Sequence, residues 1–453
     1  MTVITRFAPS PTGMLHIGGA RTALFNYLFA RHMGGQFKLR VEDTDLARNS
    51  EAAYQAILDG MKWLGLSFDG DVVYQKANAA RHREVAEELV KRGGAYYCYT
   101  TQEELAEQRA AAEAKGEVFK YDRRWRDTNE TPPAGVKPSI RIKSPLTGEV
   151  IVRDAVQGDV HFGPDTLDDL VILRSDGTPT YNLAVVVDDH DMGVTHVIRG
   201  DDHLNNAGRQ SVIYQAMGWE IPVFAHIPLI HGPDGAKLSK RHGATGTTEY
   251  AAMGYLPEAM RNYLAKLGWG HGDDEIFTDA QAIEWFTLEH IGKAPARLDF
   301  AKLNFVNAHY MRAKTGAELA DLLKITSDKF NIARALDSVK TKAHTLVELR
   351  DAVKFYLEAP TGYDEKAAAT LAKSGSNLAL VIPALEAMPE PWTAETIKAT
   401  LNEIATASGK KIGEIMPPIR AAIVGAMSGP DIPEALAILG KAEVVMRLKH
   451  VLP

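Results

Sequence analysis

Cysteine, long apolar runs and surplus positive charge are all scarce in this sequence. One residue of 453 is cysteine, Cys98, and a single thiol can form neither an internal disulfide nor, alone, a zinc site. No run of eighteen apolar residues occurs, so we expect no membrane-spanning helix. The amino terminus, MTVITRFAPSPTG, lacks a basic segment followed by an apolar stretch, so we expect no secretory signal and a cytoplasmic location.

The formal net charge is −7, which argues against indiscriminate nucleic-acid binding. The charge is nevertheless uneven along the chain. Residues 301–453 contain 19 Lys+Arg and 17 Asp+Glu, a net of +2, while the remaining residues hold 32 and 41, a net of −9. This mild asymmetry permits a local RNA-binding surface in the last third of the chain.

Strand and helix patterns alternate over the first hundred residues. Val3 to Ala8 is typical of a strand, a helix begins near Gly18, and Phe37 to Glu42 alternates strictly. Ser50 is a candidate cap for the next helix. This order predicts a parallel sheet covered by helices.

The remaining patterns complete the expected fold. We expect an α/β N-terminal doubly wound parallel-sheet (Rossmann-like) catalytic domain with an α+β insertion, followed by an all-α C-terminal region. Pro391, Pro417-Pro418 and Gly429-Pro430 should break that region into short helices. The expected divisions are the first half of the sheet domain at 1–93, the insertion at 94–190, the second half at 191–249, a helical segment at 250–306 and a helical region at 307–453.

The loop Phe7-Ala-Pro-Ser-Pro-Thr-Gly-Met-Leu-His-Ile-Gly-Gly19 lies between the first strand and first helix. Ligands of an open parallel sheet bind beyond the carboxyl ends of its strands, and a helix N-terminus there suits a triphosphate. His16 can donate a hydrogen bond to phosphate oxygens, and Gly18 and Gly19 leave room for the nucleotide. Taken alone, His16 is more typical of a structural loop histidine.

A second loop, Lys237-Leu-Ser-Lys-Arg241, follows the last strand of the alternating region. Lys237 and Lys240 could close over the β- and γ-phosphates and stabilise departing pyrophosphate. A solvated basic loop explains the same five residues equally well. Because both loops follow strands of one sheet, they could face one crevice.

Together these two loops resemble the signatures of the class I aminoacyl-tRNA synthetases. His16-Ile-Gly-Gly19 is similar to their His-Ile-Gly-His signature, and Lys237-Leu-Ser-Lys-Arg241 to their Lys-Met-Ser-Lys-Ser signature. Further stretches resemble the glutamyl-tRNA synthetases of the bacterial type: Arg6-Phe-Ala-Pro-Ser-Pro-Thr-Gly13, Arg40-Val-Glu-Asp-Thr-Asp45, Thr180-Tyr-Asn-Leu-Ala184 and Val197-Ile-Arg-Gly-Asp-Asp-His203. The resemblance covers most of the chain and implies an enzyme that joins L-glutamate to tRNA with ATP.

Glutamate carries two carboxylates and one ammonium, and the side chains near the crevice suit it. Arg6 and Arg199 can hold carboxylates through paired hydrogen bonds, with no assignment of which arginine takes which carboxylate. Glu42 can accept from the ammonium, and Tyr181 can donate to a carboxylate oxygen. A surface ion pair is the competing explanation for each residue alone. The expected glutamate-binding set is Arg6, Ala8, Ser10, Glu42, Tyr181 and Arg199.

The expected nucleotide site takes residues from both loops, with His16, Lys237 and Lys240 as the catalytic residues. Its members are Pro11, Gly13, His16, Gly18, Gly19, Lys237, Leu238, Ser239, Lys240 and Arg241. Mg²⁺ should arrive with ATP, because it binds through few carboxylates plus phosphates.

Two further strings concern metals and nucleotide contacts. Asp188, Asp189 and His190 could be read as metal ligands, but a solvated turn with a capping Asp is the favoured interpretation. Asp202 and His203 are candidates to contact the nucleotide or the tRNA end, or to be helix N-terminal groups. No protein-bound metal is therefore expected.

Some relatives bind structural zinc through cysteines in the insertion. This chain instead reads Cys98-Tyr-Thr100 and Arg124-Trp-Arg126 there. We predict no zinc site, and Cys98 as a buried small apolar residue.

The resemblance also implies the partners and the assembly. The partners would be tRNA(Glu), or tRNA(Gln) as well, together with L-glutamate; the enzyme would be a monomer whose activation step needs bound tRNA. Residues 250–306 would contact the tRNA stem and residues 307–453 the anticodon. Lys340, Lys342, Arg350 and Arg420 are candidate RNA contacts, although most such residues are solvated helix surface.

Several other functions compete with this interpretation. They are a synthetase that charges both tRNA(Glu) and tRNA(Gln) or only tRNA(Gln), a glutaminyl-tRNA synthetase, a small-molecule nucleotidyltransferase without RNA, and a non-catalytic RNA-binding homologue. The glutaminyl enzymes carry a β-barrel partner region where this chain has helical patterns. A nucleotidyltransferase would leave the last 150 or so residues unexplained.

Overall fold

The computed structural model of the chain describes residues 2–44, 50–236, 238 and 246–452. The chain divides into two compact units, one of residues 1–250 and 261–299 and the other of residues 251–260 and 300–453. Within the described ranges, no helix is long and apolar enough to cross a membrane.

Strands occur only in the first unit, as far as the described residues go. In chain order they are β1 (Ile4–Phe7), β2 (Gln36–Val41), β3 (Val73–Tyr74), β4 (Ala95–Cys98), β5 (Ser139–Ile142), β6 (Val150–Asp154), β7 (Gly158–Phe162), β8 (Val171–Leu173), β9 (His196–Gly200), β10 (Val223–Ile227), β11 (Ile230–His231) and β12 (Ala296–Arg297).

Helices occur in both units. In chain order they are α1 (Ile17–His32), α2 (Glu51–Trp63), α3 (Ala79–Lys91), α4 (Gln102–Ala114), α5 (Tyr181–Asp191), α6 (Leu204–Met217), α7 (Thr247–Ala252), α8 (Pro257–Lys266), α9 (Asp279–Trp285), α10 (Phe300–Ala313), α11 (Gly316–Leu323), α12 (Ile332–Val339), α13 (Leu346–Leu357), α14 (Glu365–Ser374), α15 (Leu378–Ala387), α16 (Ala394–Ala407), α17 (Ile412–Val424), α18 (Ile432–Leu439) and α19 (Lys441–His450).

A parallel sheet organises the first unit. β1 pairs with β2, β2 with β3, and β9 with β10, all in parallel. The backbone N of Thr195, next to β9, donates to the carbonyl of Ile4 on β1 at 3.0 Å. The order is therefore β3-β2-β1-β9-β10, which reverses between β1 and β9 as in a doubly wound sheet. The predicted fold class is confirmed, and the reversal places a ligand crevice at the carboxyl ends of β1 and β9.

Helix α1 is held against both halves of this sheet. Its apolar residues, among them Ala20, Leu24 and Leu28, are buried, as the 3.6-residue period predicts. Asn26 on the same helix donates to the carbonyl of Ile198 on β9 at 2.9 Å. The N-terminus of α1 is therefore fixed at the point where the strand order reverses.

Short strands lie between residues 94 and 190, the range in which the sequence predicts an α+β insertion. β5 pairs antiparallel with β4 and β8, while β6 and β7 form an antiparallel pair. β6 also continues the parallel sheet, because Asp154 is in register with Phe224 of β10. One apolar core, including Val152, Leu183 and Ile213, extends from these strands to α5 and α6.

The described part of residues 300–453 is helical, as predicted. Pro391 and Gly429-Pro430 lie between helices, but the prediction that Pro417-Pro418 breaks a helix is wrong, because both residues lie inside α17. Proline removes a backbone donor and disfavours a helix interior. Here the buried neighbours Ile415, Ile419 and Ile423 pack α17 into the core, so tertiary burial outweighs that local preference.

Candidate active site

A cavity of about 460 Å³ lies at the carboxyl ends of β1, β2 and β9. The backbone N of Glu42 donates to the carbonyl of Pro9 at 2.9 Å, which fixes the loop after β1 against the end of β2. The structure brings ten of the predicted site residues to the cavity wall: Arg6, Ala8, Ser10, Gly13, His16, Gly18, Gly19, Glu42, Tyr181 and Arg199.

The other predicted nucleotide residues are placed differently. Pro11 is buried behind the loop, and its carbonyl accepts from the backbone N of Ser50 at 3.2 Å. The N of Leu238 donates to the carbonyl of Ile230, a residue of the cavity wall, at 3.3 Å. Four predicted residues lie outside the described residues: Lys237, Ser239, Lys240 and Arg241.

Arg6 is held in place by Asp189, an acid on helix α5, which precedes β9 in the chain. Its Nε lies 3.0 Å and its Nη2 3.3 Å from the two carboxylate oxygens of Asp189 on α5. Nη1 of Arg40 lies 2.5 Å from the same carboxylate. Burial would raise the pKa of Asp189, but the guanidinium groups of Arg40 and Arg6 outweigh it and lower that pKa. Asp189 is therefore a structural carboxylate that holds two arginines.

Glu42 completes this buried charge cluster at the cavity wall. Its Oε1 accepts from Nη2 of Arg40 at 3.2 Å. Burial raises the pKa of Glu42, while the charges of Arg40 and Arg6 lower it in part. With Asp188 4.0 Å from Nε of Arg40, the cluster gives both Arg6 and Arg40 a buried carboxylate partner.

Arg199 differs from the other two arginines because no carboxylate of the described residues lies within ion-pair distance of it. Its Nε donates to Nε2 of His226 at 3.0 Å, and its Nη2 donates to the Gln210 amide oxygen at 2.8 Å. Its Nη1 is buried and has no hydrogen-bond partner among the described residues. Burial lowers the pKa of Arg199, with Tyr181 and Asp189 acting in the opposite direction. A buried cation in this situation calls for an anionic ligand.

Tyr181 begins helix α5 on the cavity wall. Its hydroxyl lies 3.1 Å from Nδ1 of His203. Burial, followed by the charge of Glu42, raises the pKa of Tyr181 to about 12. The phenol is therefore protonated at neutral pH and can donate a hydrogen bond.

His16 is the N-cap residue of α1. Its Nδ1 accepts from the backbone N of Gly19 at 3.1 Å, so in the neutral ring Nε2 carries the proton and is a donor. A Cβ on Gly18 would come within 3.1 Å of this ring. The structural interpretation of His16 therefore holds at Nδ1, which caps the helix, and the catalytic interpretation concerns Nε2.

Residues that follow the second signature in the chain contact the first loop. Gly246 forms an antiparallel bridge with His16. The N of Thr247 donates to the carbonyl of Leu15 at 3.0 Å. Residues on both sides of 239–245 therefore contact the first loop or a residue of the cavity wall.

The interpretation of Asp188, Asp189 and His190 as a solvated turn is wrong. All three lie in helix α5, and both carboxylates are buried. Asp188 accepts from His82, Asn78 and Gln75 at 2.8–2.9 Å. The prediction failed because the apolar residues before them continue as a helix whose polar end meets buried cations.

Cys98 is buried, as predicted. Its Sγ lies 3.2 Å from the hydroxyl of Tyr121 and 3.3 Å from Nε of Arg141, whose guanidinium carbon stands 3.7 Å from the centre of the Tyr121 ring. A phenol and a guanidinium are not zinc ligands. The described surroundings of Cys98 therefore do not fit a zinc ion.

Sequence reasoning overlooked several residues that fix the site. Arg40 lies two residues before Glu42, so strand alternation places both side chains on the same face. That alternation could have identified Arg40 as a neighbour of the site. Asp154, Gln210 and His226 lie far apart in the sequence and carry no motif. The pairing of β6, β9 and β10 brings Asp154 and His226 towards Arg199, while Gln210 reaches it from helix α6.

Comparisons with known proteins agree with this geometry. Residues 2–305 match the family described as "tRNA synthetases class I (E and Q), catalytic domain", and residues 309–452 match the family described as "Anticodon binding domain".

Individual relatives match over nearly the whole chain. A protein named glutamate–tRNA ligase 2 from Brucella ovis is 56% identical, covering 98% of each chain. One of the same name from Parvibaculum lavamentivorans is 54% identical over 99% of this chain and 94% of its own. The crystal structure of a glutamate tRNA ligase from Elizabethkingia meningosepticum in complex with its amino acid has a TM-score of 0.90 and 33% identity, covering 100% of this chain and 99% of that one. The chain belongs to the glutamate–tRNA ligase family of class I tRNA synthetases.

Proposed function

We propose that this chain joins L-glutamate to the 3′ end of tRNA(Glu) in two steps at the cavity. An α-carboxylate oxygen of glutamate attacks the α-phosphorus of ATP, the bond to the bridging oxygen breaks, and pyrophosphate leaves. The terminal ribose hydroxyl of the tRNA then attacks the carbonyl of glutamyl-adenylate, and AMP leaves. The side chains act by positioning and by stabilising charge, so no protein nucleophile is assigned.

The buried cation of Arg199 is the observation that carries the proposal. Arg6 and Arg40 each lie within ion-pair distance of a buried carboxylate, whereas Arg199 has no carboxylate partner among the described residues. The side-chain carboxylate of glutamate would give Nη1 of Arg199 an anionic partner. A carboxamide in the same place would leave the guanidinium without one, which favours glutamate over glutamine. Arg6, Ala8, Ser10, Glu42 and Tyr181 would complete the proposed glutamate site.

ATP would occupy the part of the cavity at the N-terminus of α1. Gly13, Gly18 and Gly19 permit close approach of the nucleotide, and Nε2 of His16 can donate to a phosphate oxygen. Lys237 and Lys240 would stabilise the departing pyrophosphate, with Pro11, Leu238, Ser239 and Arg241 supporting the two loops. The hydrogen bond between Leu238 and Ile230 supports this placement of Lys240. Lys240 is two residues from Leu238, and two residues of chain reach at most about 7 Å. Mg²⁺ would arrive with the ATP phosphates.

The remaining divisions of the chain are assigned by the same proposal. Residues 1–93 and 191–249 would form the catalytic domain, 94–190 the acceptor-binding insertion, 250–306 the stem contact and 307–453 the anticodon-binding region. The four basic RNA candidates each donate to a backbone carbonyl of the same unit: Lys340 to Lys314, Lys342 to Gly429, Arg350 to Leu323 and Arg420 to Pro430. These bonds support a structural role at least as well as an RNA contact. We further propose a monomer that acts in the cytoplasm.

Glutamate-dependent exchange of pyrophosphate into ATP tests the proposal. We expect exchange with glutamate in the presence of purified tRNA(Glu), little without tRNA, and none with glutamine. Charging of tRNA(Glu) and tRNA(Gln), measured separately, defines the tRNA range. An enzyme that adenylates glutamate equally well without RNA and charges neither tRNA would be a small-molecule nucleotidyltransferase, and the proposal would fail.

A further inference from the structure

A buried histidine connects Arg199 to an acid in the inserted strands. On one side, Nε2 of His226 on β10 lies 3.0 Å from Nε of Arg199. On the other side, its Nδ1 lies 2.5 Å from Oδ2 of Asp154 on β6. His226 is fully buried, Asp154 is 5% exposed and Arg199 is 6% exposed, so solvent does not replace either contact.

The surroundings of Asp154 determine which nitrogen of His226 carries the proton. Oδ1 of Asp154 accepts from the backbone N–H groups of Val156 at 2.9 Å, Gln157 at 2.8 Å and His226 at 3.1 Å. Three donors on one oxygen favour the ionised carboxylate. The carboxylate then accepts a hydrogen bond from the Nδ1–H group, and Nε2 keeps a lone pair that accepts a hydrogen bond from Nε–H of Arg199.

This arrangement holds one edge of the Arg199 guanidinium. Nε is bound by His226 and Nη2 by Gln210, and the guanidinium carbon lies 5.5 Å from the centre of the Phe224 ring. Nη1 stays without a partner among the described residues. The side chain is therefore fixed before any ligand arrives, which reduces the cost of ordering it on binding.

We propose that His226 and Asp154 are positioning residues for amino-acid recognition: the Asp154 carboxylate fixes the His226 tautomer that accepts from Arg199 and so aims the guanidinium at a substrate carboxylate. This inference rests on the proposed role of Arg199 in the glutamate site. It extends that site to an acid on β6, outside the sequence signatures.

Two substitutions at His226 separate the two faces of the ring. The amide of glutamine reaches the position of Nε2 and can accept from Arg199, whereas the amide of asparagine reaches the position of Nδ1 and can donate to Asp154. We expect His226→Gln to keep a KM for glutamate close to that of the parent. We expect His226→Asn to raise it about 10- to 100-fold, with the KM for ATP unchanged and a much smaller change in kcat. His161→Asn, at an exposed histidine paired with Glu149, is the matched control and should change nothing.

Asp154→Asn provides an independent test with almost no change in shape. The three backbone donors on Oδ1 keep the amide oxygen in that place, so the amide NH₂ faces Nδ1 of His226. Nε2 must then carry the proton. Two donors, Nε2–H of His226 and Nε–H of Arg199, would face each other, and the hydrogen bond between them would be lost. We expect the KM for glutamate to rise as in His226→Asn, while far-UV circular dichroism and the KM for ATP stay unchanged.

The outcomes distinguish this proposal from the proposed function. His226→Asn at parental KM for glutamate, or His226→Gln impaired as much as His226→Asn, would overturn the positioning role and indicate a structural contact to Asp154. Arg199→Ala with an unchanged KM for glutamate would contradict the proposed glutamate site itself. A raised KM in Arg199→Ala together with an unchanged KM in His226→Asn and Asp154→Asn would overturn the positioning role alone.

Discussion

Asp189 accepts a hydrogen bond from Nε of Arg6 at 3.0 Å, although the two residues are 183 positions apart in the chain. Arg6 lies next to the last residue of the first strand and Asp189 lies on helix α5, so the pair joins the two halves of the sheet. Both side chains are almost completely buried. An arginine of the first strand is therefore oriented by an acid from a distant part of the sequence.

Replacing Asp189 should destabilise the protein strongly. Asp189→Asn leaves Arg6 and Arg40 facing a neutral amide in a buried place, and removing one partner of a buried ion pair costs about 3–5 kcal/mol. Urea unfolding should show a lower free energy of unfolding by about this amount. Asp191→Asn is the matched control, because its pair with Arg81 is partly exposed and should contribute about 0–1 kcal/mol. Equal losses in the two variants would contradict the structural role of Asp189.

The two nitrogens of His16 should be separable by mutation. His16→Asn keeps a side-chain oxygen that can cap α1, but it loses the Nε2 donor, so we expect stability near that of the parent and exchange activity about 10²- to 10³-fold lower. His16→Ala loses both functions and should also be destabilised by about 1 kcal/mol. Thermal unfolding and pyrophosphate exchange measure the two effects. Full activity in His16→Asn would show that the ring serves only as a helix cap.

Lys240 should act on the chemical step. We expect Lys240→Ala to lower the rate of adenylate formation, with little change in affinity for tRNA, because the ammonium would stabilise charge that develops on pyrophosphate. Single-turnover adenylate formation and a filter-binding assay with tRNA(Glu) measure the two quantities. Unchanged adenylate formation in Lys240→Ala would contradict the role proposed for Lys240.

Arg199 should govern use of glutamate. Arg199→Ala removes the cation that has no described carboxylate partner, so the KM for glutamate should rise by about tenfold or more. The KM for ATP should not change, which provides an internal control. Steady-state charging of tRNA(Glu) with each substrate varied in turn makes the measurement.

Buried histidines predict how stability depends on pH. Burial lowers the pKa of His203 and of His226 below the usual value of about 6.5. The unfolded chain then binds more protons than the folded one, so this stability is present above about pH 6.5 and is lost as the pH falls towards the folded-state pKa. Urea unfolding midpoints should decline from pH 7 to pH 5.5, and less steeply in His226→Gln. The same decline in both proteins would exclude His226 as a contributor.

The sheet and the loop signatures could be predicted because their signals are local. Strict alternation from Phe37 to Glu42 and the cap residue Ser50 each specify an element within a few residues, and Ser50 does accept from the N of Ala53 at 3.1 Å. The residues of the cavity wall could be predicted from these elements, because parallel strands bring their carboxyl ends together.

The supporting residues could not be predicted in the same way. Asp154 precedes Arg199 by 45 residues and meets His226 only because β6 joins the sheet edge at β10. Asp189 looked like a solvated turn because three polar residues end an apolar stretch, and nothing local shows that two arginines face them. The position of Pro417-Pro418 was likewise decided by packing around α17, which no local pattern contains.

The proposed chemistry requires one cavity to hold both glutamate and the ATP phosphates. A crystal structure with a non-hydrolysable analogue of glutamyl-adenylate tests it directly. We predict the side-chain carboxylate of the glutamyl group within hydrogen-bond distance of Nη1 of Arg199, and the group that replaces the α-phosphate beside His16 and the N-terminus of α1. An analogue bound elsewhere, or bound here with Nη1 of Arg199 still unpartnered, would contradict the proposed function.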